Sequence, residues 1–113
     1  GLMTKYQRAL QIWNLLICAA RERKYYTYGD VAQIFGMGGA GVMAQFLDLI
    51  MRYCDKNDLP PLTVLVVNKD TGLPGAGLTT LEEVNIDRER VFKENWFKLE
   101  PLETADFLNL DGK

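Results

Sequence analysis

Six residues, Gly36-Met37-Gly38-Gly39-Ala40-Gly41, fit the G-x-G-x-x-G pattern. In that pattern glycines let the backbone close on a pyrophosphate at a helix N-terminus. The chemistry needs a strand before the glycines, a helix after them, and an acid roughly 20 positions on to hold a ribose. Gly29 and Asp30 would interrupt a strand over residues 25–35, since both are poor strand formers. No acid at the required distance closes a second strand, and nothing after Val67 offers a second βαβ unit. Nucleotide binding at 36–41 is the weakest functional reading, and a tight turn between two helices is the simpler one.

The other reactive types are sparse. The 113 residues include no histidine and two cysteines, Cys18 and Cys54. Each cysteine lies in an apolar, helix-patterned stretch, so both read as reduced core thiols rather than a disulfide. A zinc site needs more Cys or some His, and neither metal nor cofactor is expected. Lys69 and Asp70 read as an exposed turn. Glu82, Glu83, Asp87 and Glu89 read as favourable charge near a helix start. Trp96 and Phe97 could stack a base, but beside Phe92 their spacing reads as core. Tyr25, Tyr26 and Tyr28 follow Arg21, Arg23 and Lys24; this interleaving suits phosphate and base contacts, but a hairpin edge packed on a helix end is the preferred reading.

The elements that must position these residues are mostly helical. Tyr6, Leu10, Trp13, Ile17 and Ala20 recur at spacings of four and three, which predicts a helix over 4–23 capped by Thr4. Thr27 and Asp30 form a capping box for a short helix over 28–35 that stops at Gly36. A third helix is expected over 40–53, with Val42, Phe46, Leu49, Ile50 and Tyr53 inward and Gly41, Ala44, Gln45, Asp48 and Arg52 outward. Pro60 and Pro61 end it. The apolar, β-rich run 62–67 reads as a buried strand, followed by a turn over 68–72 and a loop over 73–77. The next helix is expected near Asp87, with Ile86 stapled onto Val91, and a tail helix over 104–110.

Length and composition bound the rest. One domain is expected over 1–113, with 48% hydrophobic and 25% charged residues. No apolar run reaches the roughly 20 residues that span a bilayer, and no basic-then-apolar leader is present; a cytoplasmic protein without membrane contact is expected. The net charge is −2. Residues 1–28 carry Lys5, Arg8, Arg21, Arg23 and Lys24 against Glu22, a net +4, which leaves −6 on the remainder. A nucleic-acid binder usually shows a broad basic face, whereas this chain offers one local patch.

In order, Tyr6 to Trp13, Tyr26-Thr27-Tyr28-Gly29-Asp30-Val31-Ala32, a Gly/Ala-led helix, Asn57 to Pro61, then Val66-Val67-Asn68 and Gly72 resemble the catalytic domain of the alkylguanine-DNA alkyltransferases and the non-catalytic alkyltransferase-like proteins. The resemblance covers residues 6–77 and leaves 80–113 as a helical extension. It implies a winged-helix-like fold of the mostly helical α+β class, a helix in the DNA minor groove and an everted base, since the target atom is buried in the stack. By that resemblance Tyr28 meets the DNA backbone and Asn57 stands near the hinge asparagine. Gly75 and Gly77 wall the lesion pocket. The family's Pro-Cys-His-Arg-Val signature is missing: Thr63 stands at the cysteine, Val64 at the histidine and Leu65 at the arginine, while Gly41 replaces the base-flipping arginine. Thiol and base are both gone, so alkyl transfer is not expected.

The leading expectation is therefore a non-enzymatic binding domain, with double-stranded DNA as candidate partner. Its candidate face is Arg21, Arg23, Lys24, Tyr28, Ala40, Gly41 and Gln45, and its candidate pocket is Asn57, Thr63, Gly75 and Gly77. The alternative is a protein-interaction or assembly module, suggested by the acidic remainder and the small-residue face of the third helix.

Overall fold

The computed structural model describes residues 2–75 and 80–112, and Gly77, one of the candidate pocket residues, lies outside the described residues. The domain is a mostly helical α+β fold with five α-helices and a two-stranded parallel sheet among the described residues. Helix α1 (Lys5–Arg21) is closed at its start by a reciprocal box: Thr4 Oγ1 accepts from the Gln7 N–H at 3.1 Å, and Gln7 Oε1 accepts from the Thr4 N–H at 2.8 Å. Strand β1 (Tyr26–Thr27) leads directly into α2 (Tyr28–Ile34). Thr27 Oγ1 accepts from the Asp30 N–H at 3.0 Å, and Asp30 returns the bond to Thr27 at 3.1 Å. The Thr27 box thus nucleates a helix, and Gly36 ends it in the left-handed region at φ 66°.

The glycines therefore follow a helix. They lead into a 3-10 turn (Ala40–Met43) and then α3 (Ala44–Lys56). Phe46, Leu49 and Ile50 face inward as expected, joined by Met43, Leu47 and Cys54. Val42 does not; the tight turn places it outside α3, 40% exposed. On α1 the buried stripe is Ala9, Ile12, Trp13, Leu16, Ala19 and Ala20, with Leu10 and Ile17 at its edge. Cys18 falls on the solvent side, so only Cys54 is a core thiol.

The expected strand over 62–67 forms over its last two residues alone, β2 (Val66–Val67), in register with Tyr26 and Thr27. Leu62–Leu65 is a 3-10 turn started by the Val64 N–H bonding back to the Pro61 carbonyl at 3.0 Å. A run buried at every position but Thr63 carries no clear period, so its apolar character cannot separate turn from strand. Helix α4 (Leu81–Lys93) begins six residues before Asp87, under a Thr80–Glu83 box with bonds of 3.1 and 3.0 Å. Ile86 is therefore mid-helix and 56% exposed, not a staple; Val84 and Val91 carry the buried face. A 3-10 turn (Trp96–Lys98), α5 (Thr104–Leu108) and a last 3-10 turn (Asn109–Asp111) complete the order.

The core closes on Trp13. Its ring meets Tyr53, Trp96 and Phe107 edge-on at centroid distances of 5.4, 5.6 and 6.3 Å, the geometry that aromatic quadrupoles favour. Trp96 Nε1 donates to the Val91 carbonyl at 2.8 Å, so its polar edge is satisfied in the interior. Phe97 points outward, 52% exposed, because a three-residue turn cannot bury two adjacent rings. No helix among the described residues is long and apolar enough to cross a membrane.

Candidate functional site

Four of the residues singled out from sequence converge. Tyr28, Gly41, Thr63 and Gly75 line one open cleft of about 890 Å³, within the range of sites that bury a drug-sized group. Each comes from a different segment. Tyr28 is the first residue of α2, fixed by the Thr27 cap immediately before it. Gly41, Ala44, Asp48 and Met51 recur at spacings of three and four along the 3-10 turn and α3, one helical face. Thr63 and Val64 come from the turn after the proline pair. Val84 and Asp87, three apart on α4, make the opposite wall.

The segment 68–75, after β2, closes one end. Asn68 organises it: its carbonyl accepts from the Gly72 N–H at 2.7 Å, its N–H donates to the Leu73 carbonyl at 2.9 Å, and its Oδ1 accepts from the Asp70 N–H at 2.8 Å. Lys69 and Asp70 are the exposed turn expected. Contacts from outside the segment hold it in place, with Leu73 packed against the core. The Gly75 N–H donates to Tyr28 Oη at 2.6 Å, and Arg88 Nη2 donates to the Gly72 carbonyl at 2.8 Å while its guanidinium stacks on Tyr25 at 4.6 Å. Gly72 and Gly75 sit at φ 70° and 64°, where a side chain costs about 1–2 kcal/mol. Tyr28 therefore braces the pocket wall from within the protein.

The remaining candidates lie elsewhere. Arg23 is bound to Glu89 of α4 and stacked over Phe92 at 4.8 Å. Lys24 pairs with Glu22 at 3.0 Å, which raises the ammonium pKa above its usual value. Arg21 is exposed at the end of α1 and, with them, lies outside the cleft lining. The expected single face over 21–45 is thus split, because the end of α1 packs toward α4 instead of the glycine corner. Gln45 lines a second, smaller pocket of about 390 Å³ with Lys5, Arg8 and Val42. Ala40 opens the 3-10 turn. Asn57 closes α3, its Nδ2 donating to the Tyr53 carbonyl at 2.9 Å, and does not line the cleft.

Among the described residues the cleft lining is apolar apart from Tyr28, Thr63, Asp48 and Asp87, and includes no Lys or Arg. Asp48 accepts from Arg52 Nε at 3.0 Å and Asp87 from Arg90 Nη1 at 3.5 Å; both partners belong to the same helix as the acid. Thr63 Oγ1 makes no hydrogen bond to either carboxylate among the described residues, so the pairing that activates a hydroxyl nucleophile is not formed. Cys54 is buried, and desolvation pushes its thiol up to about 11 against the weaker pull of the Leu62 backbone; at neutral pH it is a protonated core group.

No family model, curated protein or solved structure matches this chain. The alkyltransferase resemblance thus rests on the residues quoted for it.

Sequence reading missed Asp48, Met51, Val84 and Asp87 as cleft residues. Asp48 was on the outward face already drawn for the third helix. Val84 and Asp87 become a pair on one face only when α4 begins at Thr80, and the Thr80-x-x-Glu83 spacing was the signal for that.

Proposed function

We propose that this chain is a non-enzymatic binding domain whose working surface is the cleft between α3, α4 and the 62–65 turn. The observation that carries the reading is the convergence of Tyr28, Gly41, Thr63 and Gly75 around one apolar space. Residues far apart in sequence, braced by internal hydrogen bonds, leave a gap that the core does not fill, and an unfilled apolar cleft is where a ligand gains most from leaving water. The absence of histidine from the sequence and the placing of threonine, valine and leucine at 63–65 support a binding role over group transfer. An environment-sensitive apolar dye tests it. The dye brightens with the native protein and is lost in Ala44→Trp, which fills the cleft from an exposed position. Equal brightening by both proteins retires the reading.

Duplex DNA with an everted base is a second reading. It is favoured by the fact that Tyr28, Thr63 and Gly75, the residues the resemblance links to backbone and lesion, share the cleft. The acidic rim and the engaged Arg23 and Lys24 weigh against extensive phosphate contact. Anisotropy with duplexes carrying a normal, alkylated or flipped base decides it. No salt-dependent binding below about 100 μM removes DNA as partner, since non-specific binders reach that range.

A further inference from the structure

We propose that the occupant of the cleft is an amphipathic segment of a partner protein that presents a large apolar side chain flanked by lysine or arginine. This deepens the binding reading above and rests on it. The cleft is a trough between two helices and not a closed cavity: the 3-10 turn before α3 supplies Gly41 and α3 supplies Ala44 and Met51 along one wall, and α4 supplies Val84 opposite. A Cβ built on Gly41 meets nothing within 4 Å, so the low end of the trough admits a backbone at close range. Met51, 49% exposed, stands at its edge with a flexible side chain that adapts to varied apolar surfaces.

The charge settles the sign of what lies alongside. Asp48 projects from one wall and Asp87 from the other, and the lining has no basic side chain among the described residues. Each acid is engaged by an arginine of its own helix, in exposed pairs of the kind that contribute least and exchange most readily. A cation brought in by a desolvated apolar anchor takes over both acids from solvent-facing positions, whereas a phosphate backbone meets like charge. The chain's net charge of −2 adds a weak long-range field of the same sign.

Three fluorescein-labelled 16-residue peptides test this, with leucines on one face and lysine, glutamine or glutamate on the other. The expected order is lysine over glutamine by at least tenfold, with the glutamate peptide weakest. In Asp48→Asn/Asp87→Asn the lysine advantage falls to less than threefold, and in Ala44→Trp every peptide is lost while the thermal midpoint stays near wild type. A glutamine peptide that binds as well as the lysine peptide, but is lost in Ala44→Trp, overturns the charge selection and leaves the cleft reading intact. Lysine-peptide binding retained in Ala44→Trp overturns both. Duplex DNA bound in the cleft with no peptide binding overturns the inference in favour of nucleic acid.

Discussion

At the scale of single residues, Tyr28 does two things at once: it begins α2, and its hydroxyl accepts the backbone N–H of Gly75. Tyr28→Phe leaves that N–H without its partner and lowers stability by about 1 kcal/mol, read as a shift in urea midpoint. It also loosens the 68–75 loop, read as faster amide exchange at Gly75. Cysteine labelling separates the two thiols. Cys18 is exposed and Cys54 is buried with its thiol held near 11. A disulfide reagent at neutral pH therefore modifies one equivalent in the native protein and two after unfolding; two fast equivalents natively would contradict the burial of Cys54. Little of this residue scale was legible in sequence. Apolar context marked both cysteines as core, but a helix of 17 residues has a wet side even where the chain is apolar.

At the scale of elements, the legible features were those with local causes. The Thr4 and Thr27 caps and the stop at Gly36 depend on residues within four positions, and α1 and α2 formed as expected, whereas α3 starts at Ala44 instead of residue 40 and runs on to Lys56. The 62–67 run and the start of α4 were misjudged where apolar or acidic content was weighed above capping geometry. The caps are quantitatively testable: Thr27→Ala and Thr80→Ala each cost about 1 kcal/mol, with Thr80→Ala fraying α4 and so loosening the cleft wall. The last turn carries a second test. Asp111 accepts from Tyr6 Oη at 2.7 Å and from Arg52 Nη2 at 2.9 Å, with Lys5 at 3.5 Å, joining the tail to α1 and α3. The Tyr6 phenol and the Arg52 guanidinium hold its carboxyl down at about 2, below an ordinary value of 3.8. A depressed folded value gives stability that is complete above the ordinary pKa and is lost as pH falls from about 4 toward 2. Asp111→Asn removes that part of the acid limb, read by urea midpoints across this window; an unchanged limb would show that other carboxylates carry it.

At the scale of the whole molecule, the core and the cleft share their supports. Trp13 anchors α1 against Tyr53 of α3, Phe107 of α5 and Trp96. Trp13→Ala removes the hub of that cluster at about 3–5 kcal/mol, a large part of what a domain of this size holds. Its loss is read as a non-cooperative thermal melt. The cleft itself could not be read from sequence, because its lining spans residues 28–87 and exists only once α4 folds back beside α3. What sequence did supply was four of its residues, through the family resemblance: Tyr28 and Gly41, grouped with Arg21, Arg23 and Lys24 on a candidate face, and Thr63 and Gly75, set in a separate candidate pocket. A backbone amide titration separates the cleft from those three basic residues directly. With the lysine-faced peptide or an everted-base duplex as titrant, shifts are expected at Tyr28, Gly41, Thr63, Gly75 and Val84. Shifts confined to Arg21, Arg23 and Lys24, with those five amides unmoved, would contradict the account.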